Sequence, residues 1–473
     1  MPGFVGALSM AEIADAPPPE EAAPPPPPVV SAAELRAELA RVVGTDWVFG
    51  AERGREYRVD RRPPPVVVAP GDPEQVAACL AVADRLGAAV VPWGGGTAQA
   101  LGYPPRAYDL AVDLRRLNRV LAYEPADLTL SVQAGITLAA VDTVLAAHGQ
   151  RLPLDCPHPE ATTLGGLVAT HRAGPRRLRY GTVRDLLIGI RAAHPDGTLS
   201  RGGGMVVKNV SGYDMMKLYL GSLGTLGTIV ELNLKLAPRP PSAATALLVF
   251  AALGPALAAA EALLASQLVP SAVVAVDAAV AAGLGLAGAG AALVVWLEGS
   301  QPAVDRQVRE LREWGSSAGA TAASALAGAD ADALWERLIG FQALDADPLN
   351  GALLKLSILP TDVGAAMASV AEVSEQVALR CLQVADAGSG IVYVRAGQPE
   401  DGPEAVFAWA LWALQTELVR RWGSSVVLSC PVVAKENLPL WGREPPGLAV
   451  MRALKERFDP HGILNPGRFV GRI

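Results

Sequence analysis

The sequence predicts an α+β protein of two domains, and three observations carry that prediction. Between residues 63 and 240, short β-branched runs alternate with helical stretches that start and stop on recognisable caps, the pattern of sheets covered by helices. The cluster Pro238-Arg239-Pro240-Pro241 then interrupts all regular structure, as a domain boundary does. Beyond it, strands and helices recur in an order that fits a β-α-β-β-α-β cap.

Taken in chain order, residues 1–30 hold the proline runs 17–19 and 24–28 and read as a disordered, partly polyproline II tail. A helix opens at Ser31, with Glu34 placed to complete a capping box. Residues 66–68 read as a strand. Asp72 as cap, Pro73 at the first position and Glu74 in the first turn open the next helix, and Gly87 closes it. The strand 88–91 runs straight into a glycine loop. Strands follow at 111–114 and 128–132, a helix at 137–148 stopped by Gly149, and strands at 186–192 and 227–236. This first domain spans 31–240. The cap, 241–445, carries strands at 246–251, 272–276, 292–297, 353–359 and 390–395. Its helices fall at 255–266, 303–314, 363–377 and 404–422. Residues 446–473 form a closing segment.

Composition excludes several classes. The chain has 473 residues, 51% of them hydrophobic, and a net charge of −7, which gives no electrostatic footprint for nucleic acid. Four cysteines, at 79, 156, 381 and 430, form no C-x-x-C pair; a disulfide framework or an iron–sulfur cluster held by this chain alone is not expected, and a reducing, cytoplasmic setting fits. The five histidines show no metal-ligand spacing. Residues 278–297 are uncharged over about a membrane-span length. They contain Gly283, Gly285, Gly288 and Gly290 and lack flanking basic residues, so they read as a helix end, a loop and a strand.

Four glycine-rich turns carry the functional signal. In order they are Pro92-Trp93-Gly94-Gly95-Gly96-Thr97-Ala98, Thr162-Thr163-Leu164-Gly165-Gly166, Lys208-Asn209-Val210-Ser211-Gly212-Tyr213-Asp214 and Gly221-Ser222-Leu223-Gly224-Thr225-Leu226-Gly227-Thr228. Glycine lets backbone amides approach a ligand unobstructed, and successive exposed N–H groups form an anion site. Together they point to a long phosphorylated cofactor lying across the first domain.

These motifs, with Tyr180-Gly181, Arg184-Asp185 and the tail Asn465-Pro466-Gly467, resemble the PCMH-type FAD-binding domain of the vanillyl-alcohol oxidase superfamily. Within it, the stretch from Arg191 to Gly227 is most similar to the FAD-binding subunit of bacterial glycolate oxidase. The resemblance implies a domain of two α/β subdomains under a ferredoxin-like α+β cap, with FAD held non-covalently. It assigns Pro92, Trp93, Gly94, Gly95, Gly96, Thr97 and Ala98 to the pyrophosphate, and Thr162, Thr163, Gly165 and Gly166 to the ribityl chain and flavin edge. Gly174, Tyr180 and Gly181 would shape the same wall, Gly227, Thr228 and Ile229 would meet the adenosine end, and Asn465 would reach back toward the isoalloxazine. Trp93 and Ala98 depart from the Arg and Ser that relatives often carry.

The same resemblance implies a 2-hydroxy acid substrate, glycolate or D-lactate, and two partners, a catalytic flavoprotein and an iron–sulfur subunit, that hold the chain at the inner membrane face. Catalytic relatives carry a histidine-containing G-x-G-x-x-H motif in the cap. Here no histidine occurs between His194 and His461, which favours an accessory FAD subunit. The alternatives are a self-sufficient dehydrogenase using Lys208, Tyr213 or His461, and a binding module that has lost FAD. The basic cluster Arg172, Arg176, Arg177 and Arg179 suits a phosphate, a carboxylate, an acidic partner or plain solvent exposure.

Overall fold

The structure is a computed structural model that describes residues 30–205, 213–286, 290–344, 351–397 and 403–473. The proline-rich tail and residues 206–212, including Lys208, lie outside the described residues.

Two sheets build the first domain. The first runs β1 (Val48–Phe49), β2 (Val66–Val68), β4 (Leu110–Asp113), β3 (Val90–Trp93), with β2, β4 and β3 parallel. Parallel strands need a crossover, and the helix Pro73–Leu86 carries the chain from β2 to β3, on the far side of β4. Its N-terminus is fixed by the Asp72 side chain, which accepts from the Gln75 amide at 2.7 Å, and its end by Gly87 at φ 70°. The helix Ala32–Val43 packs on the same core; Ser31 accepts from the Glu34 amide at 3.4 Å. The second sheet is antiparallel, in the order β5 (Val120–Glu124), β6 (Thr129–Gln133), β10 (Thr228–Lys235), β8 (Leu187–Ala193), β9 (Leu199–Gly203). A two-residue ladder joins β7 (Gln150–Arg151) to β11 (Ala237–Pro238) at the boundary.

The cap holds one eight-stranded antiparallel sheet. Its strands are β12 (Ser242–Phe250), β13 (Ala272–Val276), β14 (Ala291–Gly299), β15 (Ala322–Leu326), β16 (Gly351–Ser357), β17 (Arg380–Asp386), β18 (Ile391–Gly397) and β19 (Ser425–Ser429). The spatial order is β15-β12-β14-β13-β17-β18-β16-β19. That is the expected β-α-β-β-α-β unit made twice, each half with its own pair of helices, fused where β13 meets β17 antiparallel. The segment 278–297 resolves into the helix Ala278–Gly283 and strand β14. Among the described residues no helix is long and apolar enough to cross a membrane.

Strand alternation decides what each face touches. Ala246, Leu248 and Phe250 on β12, and Leu354, Leu356, Val392 and Val394 on β16 and β18, face the helices Leu253–Leu264, Gln301–Ser317, Val363–Gln376 and Glu404–Trp422. The opposite face divides. Over the first half lies the helix Ala329–Gly340, with Trp335 stacked on Trp296 at 4.5 Å. Over the second half, Leu353, Ile391 and Tyr393 pack on Leu101, Ala98, Ala100 and Leu223 of the first domain.

A buried charge network fixes this docking. Arg151 donates twice to the Glu298 carboxylate, at 2.7 and 3.0 Å, Tyr180 donates to it at 2.8 Å, and Arg179 donates to the Glu298 carbonyl at 2.7 Å. Burial alone would raise the pKa of Glu298; the Arg151 pair and the Tyr180 and Ser271 hydroxyls outweigh it and hold the carboxyl below its ordinary value. The chain end closes the first domain: Leu464 pairs with Val90 in a parallel bridge, and the Asn465 amide donates to the Val90 carbonyl at 2.8 Å.

Candidate functional site

Strand β3 delivers residues 94–98 to the floor of a cleft between the two sheets of the first domain, where it is bounded by residues 162–166, the start of β10 and the C-terminal return. The cleft contains about 880 Å³ of space including its open mouth. Glycine is required in the floor by close approach. A Cβ on Gly95 would stand 1.7 Å from the Ala161 carbonyl oxygen, and one on Gly94 would stand 2.3 Å from Thr163 Oγ1. Gly96 adds a φ of +78°. The loop therefore lies flat on its neighbour, tied by the Thr97 and Thr162 hydroxyls at 3.1 Å.

None of the amides of Gly94, Gly95, Gly96, Thr97 and Ala98 donates to an acceptor among the described residues. Five consecutive unsatisfied donors beside a cleft form an anion cradle. Two further polar atoms are buried without a partner on the same walls, Thr228 Oγ1 and Arg468 Nε. Arg468 is 4% exposed and is held by Gln99 Oε1 at 2.8 Å, the Gln99 carbonyl at 2.7 Å, the Leu101 carbonyl at 3.0 Å and Asn465 Oδ1 at 3.2 Å. No carboxylate forms an ion pair with it among the described residues, and its Nε is left without a partner. Asn465, at φ 45°, donates through Nδ2 to the Leu223 carbonyl and so pins the opposite wall. These observations fit a dinucleotide flavin: fixed donors for two phosphates, a cation, and glycine walls thin enough for a long ligand.

Of the residues singled out in the sequence, residues 92–98, Thr162, Thr163, Gly165, Gly166, Gly227, Thr228, Ile229 and Asn465 line this cleft. Gly174, Tyr180 and Gly181 lie outside its lining. A Cβ on Gly174 would stand 2.3 Å from Asp155 Cβ, Gly181 turns the chain at φ +74° against Asp185, and the Tyr180 hydroxyl is engaged with Glu298 and Arg151. Trp93 lines the cleft but packs on Tyr57, with ring centroids 5.2 Å apart. Of the substitutes proposed for a catalytic histidine, the two among the described residues are not in the cleft lining: Tyr213 is 89% exposed, and His461 pairs with Asp84 at the outer surface at 2.9 Å.

Sequence reasoning missed Gln99 and Arg468, which line the walls together with Leu223 and Gly224 of the fourth glycine-rich turn; the run Asn465-Pro466-Gly467-Arg468 was the available signal. It also left open the basic cluster, which is not a solvated loop. Arg176 forms a buried pair with Asp155 at 2.6 Å, Arg179 holds Glu298, and Arg177 donates to the carbonyls of Ala173 and Gly174. Arg172 lines the cleft and donates to the Gln342 carbonyl. Opposite Arg172, the cap presents Lys355, Asp386 and Tyr393 on one sheet face.

The family comparisons agree with this geometry. Residues 64–203 match the FAD binding domain family, and residues 433–469 match the C-terminal domain of FAD linked oxidases. An uncharacterised FAD-linked oxidoreductase of Mycobacterium tuberculosis is 29% identical over 467 residues, covering 93% of this chain and 99% of that protein. Glycolate oxidase subunit GlcE of Escherichia coli is 39% identical over 148 residues, 31% of this chain and 42% of GlcE. Among solved structures, p-cresol methylhydroxylase superposes with a TM-score of 0.72 at 16% identity over 93% of this chain and 98% of its own, a likeness of fold alone. The protein is an FAD-linked oxidoreductase, and its cofactor is FAD. Its fold is of the PCMH type, and its sequence is related to those of glycolate oxidase subunits.

Proposed function

We propose that this chain is the FAD-binding subunit of a glycolate oxidase-like complex and oxidises a small 2-hydroxy acid, glycolate or D-lactate, to the 2-oxo acid. The observation that carries the reading is the run of five unsatisfied amides at residues 94–98, set between the Thr162-Thr163 turn and Arg468. In this reading those amides and Thr97 hold the pyrophosphate. Gly165 and Gly166 border the ribityl chain, Thr228 and Ile229 meet the adenosine end, and Asn465 and Arg468 stand toward the flavin. Bound FAD supplies the hydride acceptor. The described lining has no histidine, cysteine or tyrosine, which supports non-covalent binding. Arg172, on the cap side of the cleft, supplies positive charge for a substrate carboxylate. The cysteines stand apart and Cys79, Cys156 and Cys430 are buried, so the reading gives the onward electron route, including any iron–sulfur cluster, to partner subunits.

The test is anaerobic single-turnover reduction of the FAD-loaded chain by glycolate, D-lactate and, as control, ethanol. Reduction by the hydroxy acids alone supports the reading. Reduction that appears only after a partner flavoprotein is added supports an accessory role, which the absence of histidine between His194 and His461 favours.

A further inference from the structure

Three polar side chains on the cap face that meets the first domain have no role in holding the cofactor. Lys355 on β16 stands directly opposite Tyr393 on β18 in the antiparallel register. Asp386 on β17 is the diagonal neighbour of Tyr393, because Val384 pairs with Tyr393 and Asp386 with Ile391. Side chains so related share a face and stand close enough to interact electrostatically. The Lys355 side chain forms no hydrogen bond or ion pair among the described residues. Asp386 is 3% exposed and its Oδ2 is buried without a partner. Tyr393 is 2% exposed. In a protein interior such groups are ordinarily satisfied, and unpartnered ones clustered beside a ligand cleft mark a functional site.

The cluster adjoins the cofactor cleft. Tyr393 and Leu353 pack in one group with Ala98, Leu101 and Leu223, which themselves line the cleft. Arg172, another lining residue, is close enough to act electrostatically on both Lys355 and Tyr393. The segment 341–343 bridges the two sides, since Arg395 donates to the Phe341 and Ala343 carbonyls at 3.0 and 2.8 Å while Arg172 donates to the Gln342 carbonyl.

We propose that Lys355 is the proton acceptor for the substrate hydroxyl, with Asp386 as its positioning residue, in place of a histidine. This rests on the 2-hydroxy acid reading above. The substrate O–H bond breaks and its proton moves to the neutral Lys355 amine. The C–H bond breaks, and FAD held in the cleft would accept its hydride with the two electrons. C–O becomes C=O, the substrate is oxidised to the 2-oxo acid, FAD is reduced, and Lys355 is left as an ammonium.

The electrostatics suit that task. Desolvation, with Arg177 and Arg172 nearby, lowers the Lys355 pKa to about 8, opposed by Asp386. Desolvation raises Asp386 to about 7, with Asp155 adding to the rise and Arg177 and Lys355 opposing it. His171 lies within electrostatic reach of the same group; desolvation, with Lys355, Arg177 and Arg184 adding and Asp185 opposing, lowers its pKa. An amine tuned this close to neutrality is an effective base.

The experiment uses the FAD-loaded full chain and oxalate, an unreactive dianion. Calorimetry in two buffers of different ionisation enthalpy measures proton uptake on binding. At pH near 8 the wild type takes up about half a proton per oxalate as Lys355 becomes charged. Lys355→Met loses that uptake, and flavin reduction by glycolate falls about 100-fold or more. Lys355→Arg keeps the charge and binds oxalate within about tenfold, yet loses reduction to the same extent. Asp386→Asn shifts the acid limb of the reduction profile to lower pH. Undiminished proton uptake in Lys355→Met, or reduction within threefold of wild type in Lys355→Arg, overturns the assignment. Lys355-dependent uptake in a wild type that no 2-hydroxy acid reduces supports the site and overturns the substrate reading.

Discussion

Replacing Gly95 by alanine isolates the cradle with one added methyl group. Its Cβ would stand 1.7 Å from the Ala161 carbonyl oxygen and 2.7 Å from the carbonyl carbon, far inside van der Waals contact with backbone that cannot rotate away. The two loops must part by more than about 1 Å, which separates Thr97 from Thr162 and turns the amides of residues 94–98 off their common target. Misaligning two charge-assisted hydrogen bonds, each worth about 1.5–3 kcal/mol, costs about 3–6 kcal/mol of FAD binding, or roughly 100-fold to 10,000-fold in Kd. The assay is a fluorescence titration of the apoprotein with FAD. Gly254→Ala is the control, because nothing lies within 4 Å of a Cβ there, and it should leave FAD affinity unchanged. A folded Gly95→Ala protein that binds FAD within threefold of wild type would refute the cradle.

Three further outcomes follow from other parts of the structure. Glu298→Gln removes the negative charge and one of the two acceptor oxygens of a buried bidentate pair and leaves the Arg151 charge uncompensated; the loss is about 3–5 kcal/mol in urea unfolding. Because the folded pKa of Glu298 is depressed, its contribution is present above the ordinary glutamate pKa and disappears as pH falls through the folded value, so wild type and variant should converge in acid. Asp386→Asn should stabilise the protein more at pH 8 than at pH 5: the folded-state pKa is raised to about 7, so the wild-type carboxyl penalises folding as pH rises between its unfolded and folded values, while Arg177, Asp155 and Lys355 surround it in both measurements. Equal effects at the two pH values would contradict this. Arg468→Met should weaken FAD binding about 10-fold to 100-fold by removing the unpaired cation from the cleft wall; unchanged affinity would place the cation outside the cofactor's reach.

What was readable in the sequence was whatever local chemistry dictates. Asp72, Pro73 and Gly87 delimit a helix because each satisfies or ends its backbone hydrogen bonds, and the loop at Gly94 announces itself because only glycine permits the approach to Ala161. Pairing is not local. Strand β15 is a short alanine- and serine-rich edge, largely exposed, with no alternating pattern to mark it. Strands β17 and β19 were likewise missed, so one β-α-β-β-α-β unit was expected where two stand side by side. The juxtaposition of Lys355, Tyr393 and Asp386 comes from register across three strands, and a search for histidine passed over it. Gly174 and Gly181 illustrate the converse: glycine near a cofactor motif, required by Asp155 and Asp185 rather than by the cleft.

The most direct measurement is a crystal structure of the FAD-loaded chain, read for the position of the pyrophosphate. The account predicts its oxygens within hydrogen-bond distance, about 2.7–3.2 Å, of amides in residues 94–98, with the isoalloxazine directed toward Arg172 and the cap face carrying Lys355. A pyrophosphate bound elsewhere, with those amides facing solvent, would contradict the account.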